Sequence, residues 1–112
     1  MKQLNFYPIY ETILREFRKT VTLRIGNREG LAAGEIVSLT VGWDHEHART
    51  LRTVKIEAVY SKKIGELLPE DLEGESPDCA TAEAAAMVVG CVYKTVLSSM
   101  DAVTVIKFKH LN

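Results

Sequence analysis

At 112 residues, 46% of them hydrophobic and 26% charged, the chain is long enough to bury one core without disulfides or a metal, and too short for two ordinary domains. Its formal net charge of -1 excludes strong non-specific attraction to nucleic acid or an anionic membrane, so any such role must rest on a local patch. A single domain, residues 1–112, is expected, and no apolar run approaches the ~20 residues that cross a bilayer.

Met1-Lys2-Gln3-Leu4-Asn5 has no apolar signal core, which predicts a cytoplasmic protein. Leu4-Asn5-Phe6 reads as a short strand, and Pro8 suits a first helical turn, where a missing amide proton costs nothing. Tyr10, Ile13, Leu14 and Phe17 recur at helical spacing, which places four apolar side chains on one face and ends the helix near Phe17. A strand starting at Thr20 then sends Val21 and Leu23 to one face and Thr20, Thr22 and Arg24 to the other. Lys19 can act beside Thr22 only from the preceding turn, free of the pleat. Asn27, Gly30 and Gly34 mark residues 26–34 as a loop.

From Glu35 to Val41 the chain alternates, with Val37, Leu39 and Val41 on one side and Ser38 and Thr40 on the other. Residues 51–60 repeat the pattern through Val54, Ile56 and Ala58, so the two segments predict an antiparallel pair. Their connection is polar apart from Trp43, and its His45 and His47 read as a solvated turn rather than a metal site. Ile64, Leu67, Leu68 and Leu72 suggest a short helical piece interrupted at Pro69, after which Gly74 and Pro77 break the backbone again. Residues 80–97 read as a helix begun by Thr81 and Glu83, with Val89, Val92, Tyr93 and Val96 in one stripe. Gly90 either weakens that helix by roughly 1 kcal/mol or marks close packing. Val103 to Phe108 closes the chain as a strand apolar on both sides. The order β, α, β, β, β, short helix, helix, β has no βαβ rhythm and predicts an α+β fold, a small, mainly antiparallel barrel with flanking helices.

Arg15, Arg18, Lys19, Arg24 and Arg28 crowd one stretch, while Glu66, Glu70, Asp71, Glu73, Glu75 and Asp78 form a run without a cation. Taken alone, both read as solvated surface. Cys79 and Cys91 lack a CxxC spacing and read as reduced, placed for packing or incidentally. Tyr7, Tyr10, Tyr60 and Tyr93 either line a pocket that stacks a base or fill core positions. The densest chemistry is Arg18-Lys19-Thr20-Val21-Thr22-Leu23-Arg24, where cations and hydroxyls surround two β-favouring apolar positions.

Along nearly its whole length the pattern resembles the ASCH family, small domains with a PUA-like pseudo-barrel fold. The resemblance is carried by Lys19-Thr20-Val21-Thr22-Leu23-Arg24 after a strand and helix, by Gly34-Glu35 before an apolar strand, and by the closing Val103-Thr104-Val105-Ile106-Lys107-Phe108. Among such proteins the chain is most similar to the small bacterial N(4)-acetylcytidine amidohydrolases, because Thr22 stands where many relatives have Glu. That resemblance implies a catalytic Lys, Thr and Glu: Lys19 and Thr22 match directly, and Glu75 comes into register when Ile64 and Leu67 are aligned, with Glu73 as the alternative. The family usually has Gly two residues before the Lys. Phe17 stands there, and it is expected to resist a left-handed cap, so that the turn before Lys19 is built differently.

The activity so implied is removal of an acetyl group from N(4)-acetylcytidine or a related acylated nucleoside. The partner is a small-molecule nucleoside or RNA, with no DNA, membrane, metal or cofactor. Lys19 serves as base toward the Thr22 hydroxyl or a water that Thr22 holds, which requires its pKa to fall by roughly 3 units, about 4 kcal/mol, through burial and nearby cations. Glu75 passes protons to the leaving nitrogen, while Arg24, Arg18 and Tyr7 bind substrate. The alternative is a non-catalytic RNA-binding PUA-like module that uses the cations of residues 15–28, and a third reading is an inactive relative working through protein contacts. A closed pocket holding Glu75 near Lys19 and Thr22 favours hydrolysis; an open, flat, cationic face favours RNA.

Overall fold

The computed structural model describes residues 1–111; Asn112, the last residue of the expected domain, lies outside them. Five strands carry the fold: β1 (Gln3–Phe6), β2 (Val21–Arg24), β3 (Ile36–Val41), β4 (Arg49–Lys63) and β5 (Ala102–His110). Helices α1 (Glu11–Arg15), α2 (Pro69–Leu72) and α3 (Ala82–Tyr93) lie between them in the predicted order, with short 3-10 turns at Pro8–Tyr10, Ile64–Glu66 and Pro77–Cys79. The strands join as β1-β3-β4-β5-β2 in one curled sheet. All pairs are antiparallel except β1 with β3.

Alternation in β5 decides where the core lies. Val103 and Val105 point into one apolar cluster, with Val21, Leu23, Ile64, Leu72 and Val89, whereas Ile106 and Phe108 point into another, with Leu4, Phe6, Leu14, Leu39 and Ile56. Both faces are therefore covered, as an apolar strand without polar alternation requires. At 15 residues β4 is longer than the alternation over residues 51–60 suggests. A bulge between Ile56 and Ala58 lets it serve both clusters, so that Ile56 packs in one and Tyr60 against the other.

Several sequence expectations are corrected. Thr40 is buried instead of facing out: a register shift between Leu39 and Thr40 turns its hydroxyl inward, where it donates to Asn5 Oδ1 at 2.8 Å. Helix α3 starts with the expected cap, Thr81 Oγ1 accepting the Ala84 N–H at 3.1 Å, but ends at Tyr93 because Lys94 adopts φ 56°. Val96 therefore leaves the expected stripe and is 95% exposed. Gly90 marks close packing, since an added Cβ would lie 2.7 Å from the Thr95 carbonyl oxygen. Cys79 is buried and Cys91 exposed, and both are free thiols.

Candidate active site

The turn before Lys19 is built as a glycine would build it. Phe17 takes φ 64°, and the Arg18 N–H reaches back to the Ile13 carbonyl at 3.0 Å, the bond that closes a left-handed helix cap. The expected resistance of Phe17 is thus overcome, at about 1–2 kcal/mol of backbone strain. Arg52 offsets it: its guanidinium lies 4.0 Å from the Phe17 ring centroid and donates to the Leu14 carbonyl at 2.7 Å. This capped turn also swings Phe17 off the predicted apolar face of α1 and leaves it 51% exposed.

His110 fixes the next step of the chain. Its Nε2 donates to the Lys19 carbonyl at 2.7 Å, and its Nδ1 accepts from Arg52 Nη1 at 3.0 Å, which defines a neutral ring with its proton on Nε2. Burial pushes His110 below its ordinary 6.5; the Lys19 carbonyl opposes that and Arg52 assists it. Strand β2 begins only at Val21, so Lys19 lies outside the pleat, where it can face Thr22.

On the opposite side two members of the acidic run, Asp71 and Glu75, are turned inward, while Glu66, Glu70, Glu73 and Asp78 stay exposed. Asp71 is buried, accepting from Tyr60 at 2.5 Å, from Lys62 at 2.8 Å and from the Leu68 N–H at 2.8 Å. Burial works to raise its pKa, but these hydrogen bonds outweigh it and hold the carboxyl at about 2. Three residues on, the Gly74 carbonyl accepts the Thr20 N–H at 2.8 Å. Gly74 has φ +91°, and a Cβ there would lie 2.1 Å from Thr20 Oγ1, so only glycine allows this approach. The docked segment delivers Glu75, whose Oε1 accepts from Lys19 Nζ and from the Ser76 N–H.

The Lys19 and Glu75 side chains are only 4% and 2% exposed. Lys19 Nζ also lies 5.4 Å from the Tyr10 ring centroid and 5.5 Å from that of Phe6. Burial drags the ammonium from 10.5 to about 7; Arg24 assists, while Cys79 and Asp78 oppose. Contact with the Glu75 carboxylate opposes that fall too, by favouring the ammonium. Thr22 is buried, and its Oγ1 accepts from Arg24 Nε at 3.1 Å. The other end of Arg24 donates to the Asn5 carbonyl at 2.7 Å, with its guanidinium 4.9 Å from the Phe6 centroid.

Lys19, Thr22, Arg24, Glu75 and Tyr7 line one cavity of about 380 Å³, within the range of small-molecule sites. Two sequence candidates lie elsewhere. Arg18 is exposed and pairs with Glu16 at 2.7 Å, because the left-handed turn points it away from the cavity. Glu73 is exposed beside Thr20 and Lys107, on the outer side of the turn that Gly74 makes. The basic stretch is broken up: Arg15 pairs with Glu11 at 2.7 Å, Lys19 with Glu75, Arg24 is turned inward, and Arg28 stands exposed at the cavity.

Ser76, Asp78 and Tyr10 form a hydrogen-bonded chain behind the Lys19–Glu75 pair that the sequence candidates did not include as a group. Asp78 accepts from the Ser76 hydroxyl at 2.6 Å and from the Tyr10 hydroxyl at 3.1 Å, and these bonds hold it below its usual range against the pull of burial. Ser76-Pro77-Asp78 is a turn-forming triplet, and it is the local signal for this arrangement. Cys79 also lines the cavity, but burial and the neighbouring Asp78 raise its thiol to about 11, which leaves it neutral and unreactive.

No family model matches the chain, and no curated protein does. Among solved structures, an ASCH domain from Lactobacillus crispatus JV V101 superposes with a TM-score of 0.70 at 9% identity, over 97% of this chain and 79% of that one. The chain has the fold of an ASCH domain. A protein from Enterococcus faecalis V583, described by the family model DUF984, superposes with a TM-score of 0.62 at 15% identity, over 89% of this chain and 68% of that one. In this ASCH-type, PUA-like pseudo-barrel the cavity lies against the face of β2 that carries Thr22 and Arg24. None of the described helices is long and apolar enough to cross a membrane.

Proposed function

We propose that the chain is an ASCH-family amidohydrolase that removes the acetyl group from N(4)-acetylcytidine or a related acylated nucleoside. Lys19, with its pKa brought near 7 by burial, takes the proton of the Thr22 hydroxyl or of a water that Thr22 holds, and that oxygen adds to the acetyl carbonyl. Arg24, which already donates to Thr22 Oγ1, stabilises the oxyanion. Collapse breaks the carbon–nitrogen bond and the Lys19–Glu75 pair returns the proton to the departing exocyclic nitrogen, freeing cytidine; where water is the nucleophile acetate leaves in the same step, and where Thr22 is, a water then hydrolyses its acetyl ester to acetate. Tyr7 contributes to the substrate wall.

What carries this reading is the buried contact of Lys19 with Glu75, two groups 56 residues apart in sequence, inside the cavity that Thr22 and Arg24 also line. RNA binding draws less support, since Arg15 and Arg18 are neutralised by neighbouring carboxylates and offer no free cationic strip. The test is incubation of the purified protein with N(4)-acetylcytidine and detection of cytidine by chromatography. Wild type and Thr22→Ser should form product and Thr22→Val should not; no product from wild type at high enzyme concentration overturns the proposal.

A further inference from the structure

The exposed residues that line the cavity come from two loops, one carrying Arg28 and the other Trp43, the chain's single tryptophan, and from helix α3 at Val92. Trp43 is 69% exposed, yet it does not sit on a loose segment. Gly42 donates its N–H to the Phe6 carbonyl at 3.0 Å and accepts from Asn5 Nδ2 at 3.1 Å, while a Cβ on Gly42 would lie 2.7 Å from the Ala48 backbone. On the other flank, the Asp44 carboxylate accepts the His47 N–H at 2.8 Å. The indole is therefore held in water by a backbone fixed on both sides, forgoing the burial that tryptophan usually gains. Its ring is tilted against that of Tyr7, with centroids 5.3 Å apart, and both rings line the cavity.

Two further features point to an occupant. His45 Nδ1 lies 3.1 Å from Glu29 Oε1, a contact that ties the two loops together at the mouth. Gln3 Oε1, on the cavity wall, is buried and has no hydrogen-bond partner among the described residues. An unpaired buried acceptor and an exposed aromatic pair in the wall of one cavity suit a flat ligand that also carries an N–H or O–H donor.

We infer that Trp43 and Tyr7 form a stacking platform for the planar base of a nucleoside, with Gln3 Oε1 accepting from a donor on the same ligand. Tyr7 and Trp43 hold the ring at the mouth while its acylated exocyclic nitrogen extends inward to Lys19 and Glu75. The identity of the ring rests on the amidohydrolase reading; the platform does not. Because Trp43 is the single tryptophan, emission excited at the red edge of its band reports on this position alone. Thr22→Val removes turnover, so binding is read by itself. Cytidine and N(4)-acetylcytidine should each quench that emission saturably, and ribose, which has no planar ring, should not.

By calorimetry in the same background, Trp43→Phe should bind N(4)-acetylcytidine within a few-fold of the parent, and Trp43→Ala about tenfold or more weakly. Trp43→Ala folds normally because the side chain is exposed, so lost affinity is not lost structure. Absence of quenching by both nucleosides, or undiminished affinity in Trp43→Ala, overturns the inference. Trp43-dependent binding without hydrolysis by wild type supports the platform and removes the amidohydrolase reading. Hydrolysis with an unchanged KM in Trp43→Ala removes the platform and leaves that reading in place.

Discussion

Gly74→Ala isolates the contact that brings Glu75 to Lys19. Two effects act at this position. The φ of +91° costs an L-residue about 1–3 kcal/mol. In addition, the new Cβ would lie 2.1 Å from Thr20 Oγ1, an overlap that forces either the segment or Thr20 to move, at about 1–3 kcal/mol more. The effects are separable, because the next nearest atoms, Thr20 Cβ at 3.4 Å and Thr20 N at 3.7 Å, are at ordinary contact. Gly74→Ala should lower the free energy of unfolding by about 2–6 kcal/mol, and Thr20→Ala in that background should return about 1–3 kcal/mol by removing Oγ1. Urea denaturation of wild type, both single variants and the double variant measures all four corners; at about 4–8 °C per kcal/mol the effect is also plain in Tm. Product formation should fall in Gly74→Ala beyond what its folded fraction explains, since Glu75 is the next residue. A Gly74→Ala protein as stable as wild type, or a double variant no more stable than Gly74→Ala, refutes the docked geometry.

Other perturbations read other parts of the site. Lys19 has a folded pKa of about 7 against 10.5, so the unfolded chain binds the extra proton between those values. Its contribution to stability is full above about pH 10.5 and lost as pH falls through about 7. Denaturation midpoints should therefore rise with pH across that window in wild type but not in Lys19→Met, and identical profiles contradict the assignment. Asp71, held at about 2 against 3.8, contributes stability that is full above 3.8 and lost as pH falls through 2. Asp71→Asn should cost roughly 2 kcal/mol at neutral pH and flatten the acid limb, as followed by circular dichroism. Phe17→Gly relieves the left-handed strain and gives up the Arg52 stack, so its stability should stay within about 1 kcal/mol of wild type. Phe17→Ala keeps the strain and loses the stack, so it should be about 1 kcal/mol less stable than Phe17→Gly, and the reverse order would show that Phe17 is not strained.

The element order was legible because apolar periodicity is local. Val37, Leu39 and Val41 alternate, Ile106 and Phe108 continue a two-sided strand, and Thr81 caps a helix through its own neighbours. What escaped depends on partners far along the chain. The ends of β4 are polar, Arg49 at one and Ser61, Lys62 and Lys63 at the other, and they become strand only through pairing with Val41 and with residues 102–104. Helix α1 stops where it does because Arg52 and His110 reward a conformation that Phe17 resists by itself. The acidic run shows the same limit: Glu73 and Glu75 are alike in sequence, and the positive φ of Gly74 turns one outward and the other toward Lys19.

A buried Lys–Glu pair is a poor device for stability. Desolvation of both charges consumes most of their attraction, and apolar groups of similar shape often serve as well or better. Here the burden is heavier, since both side chains are almost fully buried, Arg24 disfavours the ammonium and a strained Phe17 supports the turn. Such an arrangement is consistent with use rather than with packing. The contrast is measurable. Lys19→Met alone leaves the Glu75 carboxylate buried without its cation and should cost about 3–5 kcal/mol near pH 6. Adding Glu75→Gln removes that charge and keeps an acceptor for the Ser76 N–H, so the double variant should recover most of the loss while forming no product. If the two substitutions instead add, the groups are not coupled in solution and the proposed proton exchange between them fails; if the double variant still hydrolyses N(4)-acetylcytidine, the chemistry lies with other groups.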